Sequence, residues 1–274
     1  MRREAFFLLQ CGPMITISHE RSGLSARIAP ERGALVTSLQ RHGREYLYLD
    51  QATFDDPAKN VRGGIPILFP ICGPLGEGTP YQMPQHGLAR QAHWSVLSQE
   101  VDWLELGLRA DATTLQCFPW DFELRFRFSL ADDGLTLQQQ FLNHSETPMP
   151  FQTGLHPYFR MEESPVKWDL PVRTVRDNEK PGTPAETLSG PIPEDWPVLD
   201  WELGSVERDW ASLQDVRVHY SEHYKYLVIW HLAGKPFWCL EPWTGPRFGL
   251  RDAIDLLHVP AGGSLTTQVR IEVP

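Results

Sequence analysis

The sequence has few of the features that would mark a membrane protein, a disulfide-rich protein or a structural metal site. Its longest uninterrupted apolar runs, Ala5–Leu9 and Tyr226–Trp230, are far shorter than the roughly 20 residues that cross a bilayer. No C-x-x-C pair occurs among its four cysteines, which are Cys11, Cys72, Cys117 and Cys239. This spacing favours reduced thiols, and therefore a cytoplasmic protein, over a disulfide framework or a zinc knuckle.

An excess of basic charge and the common catalytic signatures are also missing. With 25 Lys and Arg against 35 Asp and Glu, the formal net charge is −10, so polyanions are repelled and we expect no nucleic-acid partner. The sequence contains no G-x-S-x-G elbow, Walker loop, G-x-G-x-x-G or H-E-x-x-H. His219 and His223 have H-x-x-x-H spacing, but this places both on one face only in a helix, so we expect no metal site.

What the sequence does contain is apolar residues that alternate with polar ones at a period of two. Leu104–Arg109 and Phe122–Phe128 both follow this pattern, and Asp133-Gly134 joins the second run to Leu135–Phe141, as in a hairpin. No long stretch has an apolar stripe at helical spacing, so the pattern predicts an all-β fold of antiparallel strands. Further predicted strands are Met14–His19, Leu24–Ile28, Leu35–Leu39, Trp94–Gln99, Lys225–His231, Phe237–Leu240 and Thr266–Val273.

The predicted domain organisation is simple. Residues 1–13 are expected to form a disordered leader, and residues 14–274 a single domain, because no repeat or composition break divides them. The segment 165–197 is rich in Pro, Glu and Thr, which predicts a long excursion that serves as a functional loop.

Four segments differ from ordinary core strands. Arg62–Pro70 places paired glycines and two prolines around an apolar run, which is incompatible with a central strand. In Gln85–Arg90, His86 precedes a glycine, and in Gly154–Phe159, His156 lies between a glycine and a proline. The fourth segment is Cys239–Gly245, in which an apolar strand ends in Glu241 beside Trp243. Taken singly, each of these polar residues is more often structural or solvated than catalytic.

Together, the motifs RGGIPILFP, QHGLAR, GLHPYF and LEPW, in this order, resemble the aldose 1-epimerase (galactose mutarotase) superfamily. RGGIP followed by HGLAR is similar to the hexose-6-phosphate 1-epimerase branch, whereas EPWTGP is more like the branches that act on unphosphorylated sugars or are uncharacterised. The resemblance implies one large antiparallel β-sandwich with a sugar cleft. It also implies interconversion of α and β anomers without a cofactor.

The chemistry of this reaction needs one base and one acid, because opening a hemiacetal ring removes the proton on O1 and protonates the ring oxygen O5. We expect Glu241 to be the base and His156 the acid. Glu and His have ordinary pKa values of about 4.3 and about 6.5, so the first would be ionised and the second partly protonated at neutral pH. The resemblance implies that His86 orients O5 or a neighbouring hydroxyl.

Substrate binding is expected to involve further charged and aromatic residues. Arg62 and Arg90 are predicted to bind a substrate phosphate, since the guanidinium fork matches phosphate and the protein is otherwise acidic. The resemblance also implies an acidic residue that holds ring hydroxyls, for which Asp200 is the first candidate and Asp177 and Asp195 are alternatives. Trp243 is a candidate for stacking on a sugar face. The expected partner is therefore a small sugar or sugar phosphate, bound by a monomer or weak dimer.

Two other functions compete with an epimerase. A non-catalytic carbohydrate-binding protein would use a similar cleft but would not need Glu241 and His156 together. A glycoside hydrolase would need a second carboxylate, such as that of Asp200, about 5–9.5 Å from Glu241.

Overall fold

The structure is a computed structural model that describes residues 13–161, 165–171, 174–180, 186–187, 197–204 and 206–274. Within these residues strands predominate, and the helices are short. The α-helices are α1 (Gln51–Asp55), α2 (Ala112–Cys117) and α3 (Gly249–Asp252). Single 3-10 turns lie at Glu20–Ser22, Pro30–Arg32 and Ala89–Gln91. No helix among the described residues is both long and apolar enough to cross a membrane.

The strands of the first half of the chain are β1 (Ile15–His19), β2 (Leu24–Ala29), β3 (Leu35–Arg41), β4 (Arg44–Glu45), β5 (Ile67–Leu68), β6 (Ser95–Gln99), β7 (Trp103–Arg109), β8 (Phe122–Leu130) and β9 (Gly134–Asn143). Those of the second half are β10 (Met149–Phe151), β11 (Gly154–Leu155), β12 (Tyr158–Arg160), β13 (Trp168–Asp169), β14 (Thr174–Asp177), β15 (Glu186–Thr187), β16 (Val198–Gly204), β17 (Trp210–Leu213), β18 (Val216–Tyr220), β19 (Tyr226–Leu232), β20 (Phe237–Trp243), β21 (Leu257–Val259) and β22 (Ser264–Glu272).

Two large sheets dominate the described part of the chain. One has the order β15-β14-β16-β19-β20-β11-β5, with β12 also paired to β20, and we call it the cavity sheet. The other has the order β13-β17-β18-β22-β9-β8-β7-β6, and we call it the second sheet. Every strand pairing in both sheets is antiparallel. A sheet of β1–β4 and the pair β10–β21 complete the strand pairings of the described residues.

The apolar faces of the two large sheets share one core. A single buried cluster contains Phe126, Leu137 and Val269 of the second sheet together with Ile229 and Leu240 of the cavity sheet. Burying large side chains in this way is the main favourable contribution to folding, about 1.5–3 kcal/mol for each fully buried aliphatic or aromatic side chain. The fold is therefore the antiparallel β-sandwich that was predicted, and the all-β assignment is confirmed.

Most predicted strands are present with ends shifted by one to three residues, and the Asp133-Gly134 turn joins β8 to β9 in the register Leu130↔Leu135. The reading of 165–197 as a loop is wrong in part, because this segment contains β13, β14 and β15. Of the predicted leader, residues 1–12 lie outside the described residues, as does Cys11. The other three cysteines are free.

Candidate active site

One cavity of about 210 Å³ opens on the outer face of the cavity sheet. All seven site residues predicted from the sequence line it: Arg62, His86, Arg90, His156, Asp200, Glu241 and Trp243. The remaining lining residues are Asn60, Val61, Gln85, Tyr158, Val228, Trp230 and Arg247. The four unusual segments of the sequence therefore meet at one place.

Strand alternation explains why three neighbouring strands contribute to this cavity without disturbing the core. Opposite partners across β16, β19 and β20 form two rows on the cavity side, namely Glu202, Val228 and Glu241, and Asp200, Trp230 and Cys239. Because successive side chains of a strand point to opposite faces, the residues between these positions point into the sandwich. Leu203, Leu227 and Leu240, for example, belong to the buried core cluster.

His156 reaches the cavity from the connection between β11 and β12, both of which pair with β20. Gly154 pairs with Trp243, and Tyr158 pairs with Cys239, so His156 falls opposite Glu241 in the same antiparallel register. Its Nε2 lies 3.3 Å from Oε1 of Glu241. A Cβ at Gly154 would approach Cδ1 of Trp243 to 2.8 Å, so this position has little room for any larger residue.

The environment of this pair overturns the ordinary pKa values that were expected for it. Glu241 is 1% exposed, and burial raises the pKa of its carboxyl well above the ordinary value, with Asp200 adding to the effect. Burial also lowers the pKa of His156 well below its ordinary value, and the neighbouring His86 and Arg90 lower it further. Both shifts favour an uncharged pair that shares one proton, because low polarity penalises each charged form.

The two ring nitrogens of His156 have different surroundings. The ring stacks on Tyr158 with centroids 4.7 Å apart and planes inclined by 11°. Nδ1 is buried without a hydrogen-bond partner. Because Nδ1 has no described polar partner, a proton that passes between His156 and Glu241 or a ligand does so at Nε2. The surroundings therefore place the mobile proton of His156 on the cavity side.

His86 differs from His156 in having its tautomer fixed. Its backbone is left-handed, with φ of 70°, and the following Gly87 allows a close approach to Phe69, since a Cβ there would lie 2.2 Å from the Phe69 carbonyl oxygen. Nδ1 donates to the carbonyl of Cys72, which leaves Nε2 as an acceptor, 3.2 Å from the side-chain nitrogen of Gln85. Burial, followed by the charge of Arg90, lowers the pKa of His86 to about 3. This neutral ring can accept a hydrogen bond from a hydroxyl but has no proton on Nε2 for an ether oxygen.

The two cavity tryptophans have different surroundings. Trp243 is 1% exposed, and its Nε1 donates to Oε2 of Glu241 at 3.1 Å. This geometry favours positioning of the carboxylate over the sugar stacking suggested by the sequence. Trp230 is half-buried and was not singled out from the sequence. It lines the same cavity and packs edge-on against His156, with ring centroids 5.9 Å apart.

Asp200 is the only one of the three acidic candidates that the described structure places at the cavity. Its carboxylate accepts hydrogen bonds from Asn178, at 3.0 Å, and from the Arg247 guanidinium, with which it forms an ion pair. Asp177 pairs with Lys180 at 3.2 Å and does not line the cavity, whereas Asp195 lies outside the described residues.

Arg247 was missed, although it follows the fourth motif by only a few residues. Its backbone N–H donates to Glu202 at 2.8 Å, so both acidic residues of β16 hold it in place. The signal in the sequence was the pair of acidic residues two positions apart on one strand face, which need a cation when they are buried.

Arg62 and Arg90 also line the cavity. Arg90 donates to the carbonyl of Val61 at 3.3 Å, and Arg62 is exposed. Among the described residues neither arginine forms an ion pair, in contrast to Arg247. Two guanidinium groups therefore face the cavity with hydrogen-bonding capacity to spare.

The chain is similar to known proteins in both sequence and structure. The profile of the family described as Aldose 1-epimerase matches residues 13–244. The Slr1438 protein of Synechocystis, a solved structure, is 33% identical, with 99% of each chain covered and a TM-score of 0.91. A galactose mutarotase-like protein of Lactobacillus casei is 26% identical, with 95% of this chain and 99% of that chain covered and a TM-score of 0.76. A Cenchrus ciliaris protein described as "Putative glucose-6-phosphate 1-epimerase" is 31% identical over 46% of this chain and 41% of its own length.

Proposed function

Because this chain belongs to the aldose 1-epimerase family, we propose that it interconverts the α and β anomers of an aldohexose 6-phosphate, with Glu241 and His156 as the proton-transfer pair. One observation carries the proposal. A carboxylate oxygen and an imidazole nitrogen lie 3.3 Å apart on the floor of a polar cavity, where they can reach two oxygens bonded to the same carbon.

The reaction follows from these two groups and needs no other proton carrier. The Glu241 carboxylate takes the proton from O1, the C1–O5 bond breaks as C1=O1 forms, and His156 gives its Nε2 proton to O5. Rotation about C1–C2 then presents the other face of the aldehyde. O5 attacks C1, His156 recovers the proton from O5, and Glu241 returns its proton to O1. Each positioned proton transfer is typically worth about 10²- to 10⁴-fold in rate.

The free site favours the uncharged pair, whereas the first step uses the carboxylate and imidazolium. Both forms contain the same number of protons, so moving one proton across the 3.3 Å gap converts one into the other. The charge of Arg90 is one cause of the lowered pKa of His156, and Arg247 and Arg90 both act to lower that of Glu241. A phosphate bound to Arg90 would offset its charge and so raise the pKa of both His156 and Glu241.

Other cavity residues then have binding roles. His86 accepts a hydrogen bond from a sugar hydroxyl through Nε2, in place of the one from Gln85, which supports the hydroxyl of the two possibilities that the sequence left open. Asp200, held by Arg247, offers carboxylate oxygens to ring hydroxyls. Trp230 supplies an aromatic surface beside His156.

Phosphate binding by Arg62 and Arg90 is supported by their freedom from carboxylate partners in the described structure and by the charge of the protein, which is −10 overall. An acidic protein attracts an anionic sugar only through a local cationic site. Guanidinium groups are well suited to it, because they bind phosphate through two parallel hydrogen bonds. The description of the Cenchrus ciliaris relative agrees with a phosphorylated substrate.

Polarimetry of freshly dissolved α-glucose 6-phosphate and α-glucose tests the proposal, with the spontaneous rate subtracted. We expect faster approach to equilibrium with the phosphorylated sugar. Arg62→Ala and Arg90→Ala should raise KM for glucose 6-phosphate much more than KM for glucose, and added salt should weaken the difference because it screens exposed charges. The matched control is Arg44→Ala, which removes an arginine outside this cavity.

Three outcomes would contradict parts of this proposal. Equal losses on both sugars, or a preference for the unphosphorylated one, would show that Arg62 and Arg90 do not bind phosphate. Sugar binding without any acceleration of mutarotation would indicate a carbohydrate-binding protein. Release of sugar from a glycoside would indicate a hydrolase, although Asp200 is already engaged by Arg247 and Asn178 and is poorly suited to act as a second catalytic carboxylate.

A further inference from the structure

Cys239 carries a buried thiol next to the proton-transfer pair. The proposed reaction does not use this thiol. It lies two residues before Glu241 on the same face of β20, opposite Tyr158 on the neighbouring strand. The Cys239 Sγ, a ring nitrogen of His156 and a carboxylate oxygen of Glu241 all lie within 4.8 Å of one another. All three residues are buried, and two of them line the cavity.

These separations are close to those of three ligands on one tetrahedral metal ion. Zinc bonds to nitrogen and carboxylate oxygen are about 2.0–2.2 Å long, so their ligand atoms are about 3.4 Å apart at a tetrahedral angle. The observed distance between His156 Nε2 and Glu241 Oε1 is 3.3 Å. The longer zinc–sulfur bond of about 2.3 Å places sulfur about 3.6 Å from the nitrogen, which movement of the thiol by about 1 Å would achieve.

The charges of the three groups also balance when a divalent ion binds. Without an ion, the thiol and the Glu241–His156 pair carry one proton each and no net charge. A divalent ion would release these two protons and bind one thiolate, one carboxylate and one neutral imidazole, which again gives no net charge. A buried site with this balance avoids the desolvation penalty of an isolated charge.

The surrounding arginines restrict which ions can bind. Arg90 and Arg247 line the same cavity and repel any cation, while Asp200 offsets part of this charge. An ion held mainly by charge would therefore bind poorly. One that forms strong bonds to sulfur and nitrogen has a further source of affinity, and thiolate and imidazole ligands select zinc-like ions over magnesium or calcium.

We propose that Cys239, His156 and Glu241 form a binding site for a soft divalent cation of the zinc and cadmium type, and that this ion inhibits the protein by occupying the proton-transfer pair. Three protein ligands leave the fourth position open toward the cavity. The bound ion takes the lone pairs with which Glu241 and His156 would accept protons. Inhibition is therefore reversible and is relieved by a chelator.

Binding is tested directly with Cd²⁺ alone, through the ultraviolet charge-transfer absorption of a cadmium–thiolate bond and through calorimetry. We expect one Cd²⁺ per chain in a Cys11→Ser, Cys117→Ser background, which leaves only the two buried thiols, Cys72 and Cys239. Cys239→Ser should abolish the absorption and weaken binding by at least about tenfold, since even loss of an outer-shell partner costs that much. The matched control is Cys72→Ser, a second fully buried thiol outside the cluster, which should keep the signal.

Inhibition is tested on the wild-type chain, and this arm also depends on the proposed epimerase function. Zn²⁺ at micromolar concentration should suppress mutarotation, EDTA should restore it, and Mg²⁺ should have no effect. The activity that Cys239→Ser retains should not change when Zn²⁺ is added. If Cys239→Ser does not fold, Glu241→Gln provides the second variant, because it removes a ligand and should weaken Cd²⁺ binding measured by calorimetry.

Several results would overturn the site. These are a Cd²⁺ signal that persists in Cys239→Ser, equal effects of Zn²⁺ and Mg²⁺, and Cd²⁺ binding that is unchanged in Glu241→Gln. Failure of the epimerase proposal would look different, since Cd²⁺ would still bind through Cys239 while no mutarotation occurred with or without the ion.

Discussion

The hydrogen bond from Trp243 to Glu241 should influence the alkaline limit of catalysis. Trp243→Phe keeps the aromatic bulk but removes the Nε1 donor that lies 3.1 Å from Glu241 Oε2. This donor stabilises the carboxylate over the carboxylic acid and opposes the effect of burial, which raises the pKa of Glu241. A hydrogen bond to a charged group contributes about 1.5–3 kcal/mol, and one pKa unit corresponds to about 1.4 kcal/mol. The pKa of Glu241 should therefore rise by about 1–2 units in the variant.

The direction of the effect on rate follows from the proton that Glu241 and His156 share. Catalysis needs the one proton that the uncharged and charged forms of the Glu241–His156 pair both contain. Because the pKa of Glu241 is raised and that of His156 is lowered, Glu241 is the group that releases this proton as the pH rises. A higher pKa of Glu241 therefore moves the alkaline loss of activity to higher pH. The pH profile of kcat/KM, measured by polarimetry, should show the alkaline limb of Trp243→Phe shifted upward by about 1–2 pH units. Trp230→Phe is the control, because Trp230 lines the cavity but stacks near His156 instead of bonding to Glu241. An unshifted limb in Trp243→Phe, or the same shift in both variants, would refute the reasoning.

Glu241→Gln should lower kcat by about 10²- to 10⁴-fold, because the amide cannot accept the O1 proton. The thermal midpoint should not change, since the amide keeps the shape of the side chain. Near-wild-type turnover would exclude Glu241 as the base. In a rate assay with a single substrate, His156→Ala should lower kcat by a similar factor. His86→Ala should lower kcat less, because His86 binds a hydroxyl but transfers no proton. Equal losses in the two variants would place His86 in the proton transfer. Phe126→Ala should lower the free energy of unfolding, measured in urea, by about 3–5 kcal/mol. Phe126 is fully buried against Phe141, so removing its ring leaves a cavity. A loss below about 1 kcal/mol would mean that the core closes around the gap.

The parts of the fold that were predicted correctly are those specified by neighbouring residues. The β8–β9 hairpin follows from alternation on both sides of an Asp-Gly turn, and both signals are local. By contrast, β16 was not predicted as a strand, although Leu199 and Leu203 alternate with Asp200 and Glu202. Acidic residues between apolar ones usually indicate a solvent-facing strand side. Here that side faces a cavity, and local alternation cannot distinguish a cavity from bulk water.

The candidate site residues other than Asp200 were singled out because each lies in an unusual local motif, and the structure places them around one cavity. Their electrostatics could not be predicted in the same way. Glu241 and His156 were assigned ordinary pKa values, which is wrong because burial depends on the strands that cover them. The partner of Trp243 was missed for a related reason. Its distance to the carboxylate two residues earlier depends on the rotamers in the folded sheet, which the order of residues does not specify.

The division of β16, β19 and β20 into a cavity side and a core side has a consequence for insertions and deletions. Replacing Glu241 changes only the cavity, since its neighbour Leu240 keeps its place in the core. Adding or deleting one residue within β20 would shift the register and exchange the two sides. It would then bury the carboxylate of Glu241 inside the sandwich and expose Leu240. We therefore expect this strand to tolerate changes of side chain far better than any change in its length.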